Sequence, residues 1–381
     1  MNLRQLVFKI LILLLSLHST GNLYAQATML DDKEMQEVIS TGLDYMYNME
    51  FNKAESKFKR VGEKYPNHPA YELLKYMSLT WEVLYNNSFK QKAPEGLALL
   101  ESALKKADRM LKNNHNDAEG IFFTLAGRAS IALYYSQTNE TVKSVNEARK
   151  AYTLIKKADQ WKEKLIDFNF PVGLYNYYVE QYPENHPVFK PFMFFFYKGN
   201  KLQGLKMLDN CRRNGIFSKT ESTNYLSHIY LRYEENYIQA LRYTKPLIEK
   251  YPDNLYFKIN HCEALIGNKQ YKEAEFFAYQ LYKSDKLLAQ IAAFTYYGLL
   301  NEKHFNEPEK AKAFYLKAIA LAQKSEIPVQ DFTGQCFAGL GRYYHSKGLK
   351  DKAINAYENC LEVTDYLSLQ KEASQYLDNY D

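Results

Sequence analysis

The sequence predicts an all-α chain of helical hairpins stacked side by side into an α-solenoid. Three observations carry this expectation. The 16 Gly and 11 Pro make only about 7% of the 381 residues, against roughly 12% in ordinary chains, whereas turn-rich β folds need more of both. A hydrophobic share of 46% with 24% charged residues excludes intrinsic disorder and collagen-like structure. A spaced set of small and aromatic residues also recurs along the chain at helical intervals.

Residues 1–25 open with Arg4 and Lys9 around an apolar run, Ile10–Leu17, followed by polar residues and Ala25-Gln26-Ala27. A basic start, a short apolar stretch and a small-x-small junction predict a secretory signal peptide. The run is shorter than the ~20 apolar residues that span a bilayer. No later stretch is long and apolar enough either, so no transmembrane span is expected in the mature chain. The expected location is exported: periplasmic, associated with the outer membrane, or secreted. The first cysteine is Cys211, so a lipid anchor on a cysteine following the apolar run is not expected. Cleavage would remove two cations and no acid, leaving a net charge of +3 from +5. That is too small to suggest nucleic acid as a partner.

Residues 28–165 are expected to form N-terminal hairpins. Gly42, Tyr45, Phe51, Ala54, Phe58, Val61 and Pro66 make the first spaced set, and residues 68–165 keep the helical period with weaker signatures. Three segments share a terminator: Glu63-Lys64-Tyr65-Pro66, Glu180-Gln181-Tyr182-Pro183 and Glu249-Lys250-Tyr251-Pro252. Proline after a helix stops it, because it lacks an N–H and disfavours α geometry in the preceding residue. The last two prolines stand 69 residues apart, which reads as two units of ~34.

Residues 166–218 are expected to be an aromatic-rich, irregular helical module. Twelve aromatics fall within 168–197, and Pro171, Pro183, Pro187 and Pro191 exclude one continuous helix there. Three readings stay open: a core joining two halves of the stack, an apolar patch that meets a partner, or an aromatic platform, including Tyr175 and Tyr178, that stacks on sugar rings.

Residues 219–381 are expected to be a C-terminal array closed by a polar helix near 365–378. Tyr237-Ala240-Thr244-Leu247, Tyr271-Ala274-Ala278-Leu281 and Ala311-Tyr315-Ala318 keep second-helix spacing. Phe337, Leu340, Gly341, Tyr344, Gly348, Ala353, Tyr357 and Cys360 form the fullest set. The count is about eight hairpins and a final helix. Gly42, Gly341, Ala54, Ala240, Ala274, Ala311 and Ala353 should sit where helix backbones approach closely. Tyr45, Phe58, Tyr344 and Tyr357 should be the complementary knobs. No hairpin buries its apolar stripe alone, so neighbours must stack.

These sets resemble tetratricopeptide repeats, whose unit is a helix–turn–helix with Trp/Leu/Gly/Tyr on the first helix and Ala/Phe/Ala/Pro on the second. The likeness is good over 35–66 and 221–363, with Phe337 where Trp is commoner. It implies a right-handed superhelix that binds other proteins along its concave face. The stretch from Gly173 through Gly199, Gly204 and Leu208 is also similar, over fewer than 40 residues, to the central module of a eukaryotic tetratricopeptide family linked to inclusion-body clearance.

Through that resemblance the inward, partner-facing set is Tyr225, Arg232 and Tyr233 from one hairpin, Glu263 from the next, Thr295 from the third, and Arg342 and His345 from the last. Tyr and Arg are common interface anchors. Some family members grip a C-terminal carboxylate with Lys and Asn on successive first helices. Here Ile39 and Leu43 stand at the corresponding places in the first repeat, and with Met46 and Tyr47 they make an apolar inward face suited to a helix, an extended hydrophobic strand or an N-terminal segment of the chain itself.

Catalytic signals are sparse. The chain has no His-Glu-x-x-His pair, phosphate-binding glycine loop or Gly-x-Ser-x-Gly elbow. Gly339-Leu340-Gly341 lacks the third glycine of a dinucleotide fingerprint and should lie inside a helix. No enzyme activity, cofactor or metal is expected. Cys211, Cys262, Cys336 and Cys360 are spaced unlike any zinc site. They read as buried thiols, with Cys336–Cys360 the one pair that a disulfide would join within a hairpin. The expected function is an exported scaffold that binds another protein or peptide of the cell envelope, the alternative being a glycan-binding receptor component using 168–197.

Overall fold

The computed structural model describes residues 28–185, 190, 196–364 and 366–379. The expected signal peptide and Phe189, Phe192, Phe194 and Phe195 of the aromatic segment lie outside these. The described residues form seventeen α-helices and no strand. They pair as α1 (Lys33–Tyr47) with α2 (Phe51–Lys64), α3 (Ala70–Asn86) with α4 (Phe89–Asn113), α5 (Ala118–Gln137) with α6 (Thr141–Trp161), and α7 (Asn169–Asn185) with α8 (Lys201–Asn214). The array continues as α9 (Lys219–Arg232) with α10 (Tyr237–Lys250), α11 (Leu255–Gly267) with α12 (Tyr271–Tyr282), α13 (Leu287–Leu300) with α14 (Pro308–Ala322), and α15 (Gln330–Ser346) with α16 (Lys350–Val363). A last helix, α17 (Leu367–Asp378), closes the stack. Each helix packs mainly on the one before and the one after it. Among the described residues this is an all-α solenoid of eight hairpins and a final helix, as expected.

The small residues do what their spacing requires. Ala54, Ala240, Ala274, Ala311 and Ala353 are all buried. Gly42 lies against the Phe58 ring and Gly341 against the Tyr357 ring; a Cβ would stand 2.5 and 2.7 Å from ring carbons. Gly298 and Tyr315 repeat this pairing in the seventh hairpin, at 2.3 Å. One device recurs: a first-helix glycine admits the flat face of a second-helix aromatic. Phe58 and Tyr357 are fully sunk, whereas Tyr45 and Tyr344 are half-buried. The Gly339-Leu340-Gly341 stretch is inside α15, as expected.

The turns within the hairpins share a second device that the spacing did not announce. Met49, Asn87, Asn139, Glu235, Lys269 and Asn306 all have positive φ, as does Gly348 at +70°. Each sits between the two helices of its hairpin, where one left-handed residue reverses the chain. Only the α7–α8 hairpin, whose connection is partly outside the described residues, lacks a described example.

Of the three shared terminators, two act as expected. α2 ends at Lys64 and α10 at Lys250, capped by Tyr65 and Tyr251. Pro183 instead lies within the last turn of α7. It costs that turn one N–H, and the helix runs two residues further. Because α7 is a first helix and α10 a second, the 69-residue interval spans three helices beyond α7, not two whole repeats.

The described residues of 166–218 pack as the fourth hairpin. Gly173 and Gly204 bring the α7 and α8 backbones together: a Cβ on Gly204 would meet the Gly173 carbonyl oxygen at 2.7 Å. Phe168 and Tyr177 are fully buried. The Asp167 carboxylate accepts backbone N–H groups from Ile216, Phe217 and Ser218 at 3.0, 2.9 and 2.6 Å, pinning the loop that launches α9.

The stack also curls until its halves touch. Tyr47 and Trp81 from the first two hairpins pack edge to face at 5.5 Å, and Tyr47 lies 5.3 Å from Tyr251 and 6.1 Å from Phe257. The Asn254 amide donates to the Tyr47 carbonyl at 3.0 Å. Lys250 and Tyr251 both reach Asp44 Oδ1 at 2.7 Å. Further along, Asn87 Oδ1 accepts the Glu326 N–H at 2.8 Å, and Lys286 donates to Asn86 at 3.1 Å. The apolar inward face of the first hairpin, Ile39, Leu43, Met46 and Tyr47, is thus buried by its own chain. Leu247, Tyr251 and Phe257 of the fifth and sixth hairpins join its core. Of the three covers left open for this face, the described residues supply part from the chain itself, both from the fifth and sixth hairpins and from Met29 and Leu30 near the start of the described chain.

Candidate functional site

Helix α9 crosses the centre of this closed arrangement. Its inward stripe, Glu221, Asn224, Tyr225, His228 and Arg232, advances by three and four residues, so all five share one face. At its N-terminal end Glu221 accepts from the Tyr47 hydroxyl at 2.9 Å and from the Trp81 indole at 3.4 Å. Burial pushes this carboxyl's pKa up against those hydrogen bonds.

At its other end Arg232 is buried, 3% exposed. Its Nε donates to Asp331 Oδ2 at 2.5 Å, and its Nη2 lies 3.6 Å from Glu263. Glu263 is itself buried and accepts from the Tyr296 hydroxyl at 3.2 Å, from the Tyr366 hydroxyl, and from the Gln335 amide. Burial raises the Glu263 pKa, with Arg232 opposing it. Four hairpins and the lead-in to α17 therefore meet at one hydrogen-bonded node.

The seven residues expected to face a partner divide. Arg232 and Glu263 are brought together, but against their own chain. Tyr225 is half-buried, with its ring 5.4 Å from Phe170. Tyr233 is half-buried between Tyr178 at 5.6 Å and His228 at 5.9 Å. Thr295 is fully buried, donating to the Ile291 carbonyl at 3.0 Å and lying 3.4 Å from Cys336 Sγ. Arg342 sits at the end of the stack, clamped by Glu302 at 2.5 Å and Glu372 at 2.9 Å. His345 is exposed beside the Tyr376 ring. Arg232, Glu263 and Thr295 are therefore corrected from exposed contacts to interior ones: Arg232 and Glu263 are covered by Asp331 and Tyr366 from further along the chain, and Thr295 by Cys336 of the next hairpin.

Residues that the sequence reading passed over complete the interior. Asn224 and His228 lie on α9, and Tyr256 and Asn260 on α11 at a spacing of four. A signal existed in the polar residues at 224, 228 and 232, a regular four-residue stripe on a helix whose other faces are Leu226, Ile229 and Leu231. His228 is neutral, its pKa lowered to about 3 by burial and then by the Arg232 charge. Burial raises the pKa values of the Tyr178 and Tyr256 hydroxyls, and the Arg232 charge opposes that rise.

The aromatic segment is engaged structurally. The Tyr175 hydroxyl donates to the Tyr197 carbonyl at 2.7 Å, its ring lies 5.7 Å from Tyr152, and Tyr178 packs edge to face on Tyr177. Among the described aromatics of this segment Phe168 and Tyr177 are buried, whereas Phe196 and Tyr197 are exposed. All four cysteines are buried free thiols, so Cys336 and Cys360 are not joined. Cys336 lies against Thr295, and Cys360 Sγ donates to the Gly334 carbonyl at 3.4 Å.

No family model matches the chain, and no curated protein matches it. Among solved structures, a tetratricopeptide repeat protein from Parabacteroides merdae is similar at 13% identity, covering 91% of this chain and 99% of that one, with a TM-score of 0.35. The tetratricopeptide domain of P58(IPK) is similar at 12% identity over 91% and 99%, with a TM-score of 0.26. Human IFIT1, solved as a dimer with PPP-AAAA, is similar at 14% identity over 82% of this chain and 68% of its own, with a TM-score of 0.40.

Proposed function

We propose that the chain is a non-enzymatic scaffold, exported through the segment at 1–25, that binds another protein of the cell envelope. The supporting observation is a set of large apolar side chains left in solvent on adjacent second helices. Phe276 and Tyr279 on α12 are 59% and 51% exposed, and Leu316 on α14 is 44% exposed. Tyr279 and Leu316 each stand five residues after the buried alanine of their helix, Ala274 and Ala311. They therefore hold equivalent positions in neighbouring hairpins. Rigid helices that present aromatic area to water favour a macromolecular partner, because burying those rings costs little further ordering.

The test is capture from an envelope extract by the wild-type chain and by Phe276→Ser with Tyr279→Ser. The variant should lose the captured protein while melting within a degree or two of wild type, since neither ring is buried. Equal capture by both would overturn this surface as the binding site.

A further inference from the structure

Among the described residues nine buried side-chain N and O atoms make no hydrogen bond of ordinary geometry, and six belong to α9 and α11: Ser222 Oγ, which is not on the inward stripe, and five that line the interior, Asn224 Oδ1, His228 Nδ1, Arg232 Nη1, and both Nδ2 and Oδ1 of Asn260, an amide that faces the Tyr256 hydroxyl. Orphaned buried polar atoms are rare, and each destabilises the fold when left unsatisfied. Five together on two adjacent helices need a common partner. The surrounding residues show where it would lie. Tyr225, His228 and Tyr256 stand on the inward faces of α9 and α11, and each keeps accessible surface there. Surface retained on the inner wall of a closed stack places these three groups on the border of an interior space.

We infer that this interior is a binding site for a small neutral polyhydroxylated molecule of the saccharide class. The wall offers donors and acceptors in the same place. Asn260 supplies one of each, Asn224 an acceptor, Arg232 a donor, and His228 either one. The charged groups are already engaged with one another: the Arg232 cation is matched by Asp331 at 2.5 Å and faced by Glu263 at 3.6 Å, and Glu263 accepts from Tyr296, Tyr366 and Gln335 of its own chain. No uncompensated cation remains to hold an anion. The tyrosine rings give the apolar faces on which the C–H surface of a sugar ring packs, and their hydroxyls extend the hydrogen-bonding set. This site is separate from the outer surface of α12 and α14 and does not depend on the protein partner proposed for it.

The experiment is calorimetric titration of the full chain with glucose, N-acetylglucosamine and maltose, with inorganic phosphate as the anionic probe. At least one sugar should bind and raise the melting temperature. Asn260→Leu, which removes two orphaned atoms, should melt higher than wild type without ligand and bind that sugar at least about tenfold more weakly, the loss of one or two hydrogen bonds. Asn224→Ala is the second variant should Asn260→Leu misfold, and it should weaken binding similarly. The inference is overturned if no sugar binds, if phosphate alone binds, or if both variants bind sugar as wild type does. It is equally overturned if the orphaned atoms prove to hold only ordered water and the melting temperature ignores every sugar.

Discussion

The Tyr47 hydroxyl of the first hairpin donates to Glu221 Oε1 of the fifth at 2.9 Å, across 174 residues of chain. This bond belongs to no repeat. It exists because the hairpins curve far enough for α1 to meet α9, and it joins the aromatic cluster that seals the two halves. Tyr47→Phe would leave a buried carboxylate with the more distant Trp81 indole as its remaining cross-stack donor. The expected loss is about 1–3 kcal/mol in urea unfolding. Glu221→Gln in the same background should lose much less than it does alone, because the two side chains form one interaction.

Glycines at helix contacts should not be interchangeable with those beside them. Gly341→Ala would put a Cβ 2.7 Å from the Tyr357 ring, whereas Gly96→Ala would meet nothing nearer than 3.4 Å, on Tyr76. The first should destabilise by about 1–3 kcal/mol through overpacking. The second should be neutral or stabilise by up to about 1 kcal/mol, since alanine is the better helix former. Thermal unfolding of both variants decides it; equal effects would mean that Gly341 is not a packing residue.

This contrast marks what was legible in the sequence. Gly42, Ala54, Phe58 and their C-terminal counterparts announced the hairpins because helix contact is local, set by side chains sixteen or seventeen residues apart. The left-handed turn residues were not legible, because Met49, Glu235 and Lys269 are types that seldom adopt positive φ. Closure was invisible for a different reason. The Tyr47–Glu221 and Asn87–Glu326 contacts depend on small rotations summed over several hairpins, which no residue type encodes. Arg232 and Glu263 were expected to face a partner on an open inner wall, whereas both are buried against their own chain. Asn224 and Asn260 were missed because a buried, unpartnered amide looks like any surface amide until its neighbours are known.

His261 gives a pH dependence of definite sign. It is buried, with Nδ1 2.8 Å from Thr244 Oγ1. Burial, and then the Lys245 charge, lowers its pKa from 6.5 to about 4. Below pH 6.5 the unfolded chain takes up a proton that the folded chain refuses, so stability falls with pH until about pH 4. The slope is limited to about 3 kcal/mol over that window. Raised carboxyl pKa values at Glu221, Glu263 and Asp167 act in the opposite sense, so the comparison must be differential. His261→Gln should show a flatter fall than wild type between pH 6.5 and 4. Parallel curves would contradict the assignment.

The thiols supply a solvent-access test. Burial pushes Cys211, Cys336 and Cys360 up to about 12 and Cys262 higher still, so none offers an accessible thiolate. A disulfide reagent should leave the native chain unmodified and titrate four thiols after denaturation, even for protein prepared under oxidising conditions. Two thiols on denaturation would mean that a pair had formed.

Closure of the stack is the claim on which the buried inner wall and the interior site both rest. Lys250 Nζ lies 2.7 Å from Asp44 Oδ1, 206 residues away, and both side chains are open to solvent. A zero-length carbodiimide, applied to dilute native protein and followed by peptide mass spectrometry, would convert that ion pair into an amide. The account predicts an Asp44–Lys250 crosslink within the monomer. Crosslinks from Lys250 confined to acids of its own and adjacent hairpins, with Asp44 unmodified by any lysine of α10, would show an open rod and contradict it.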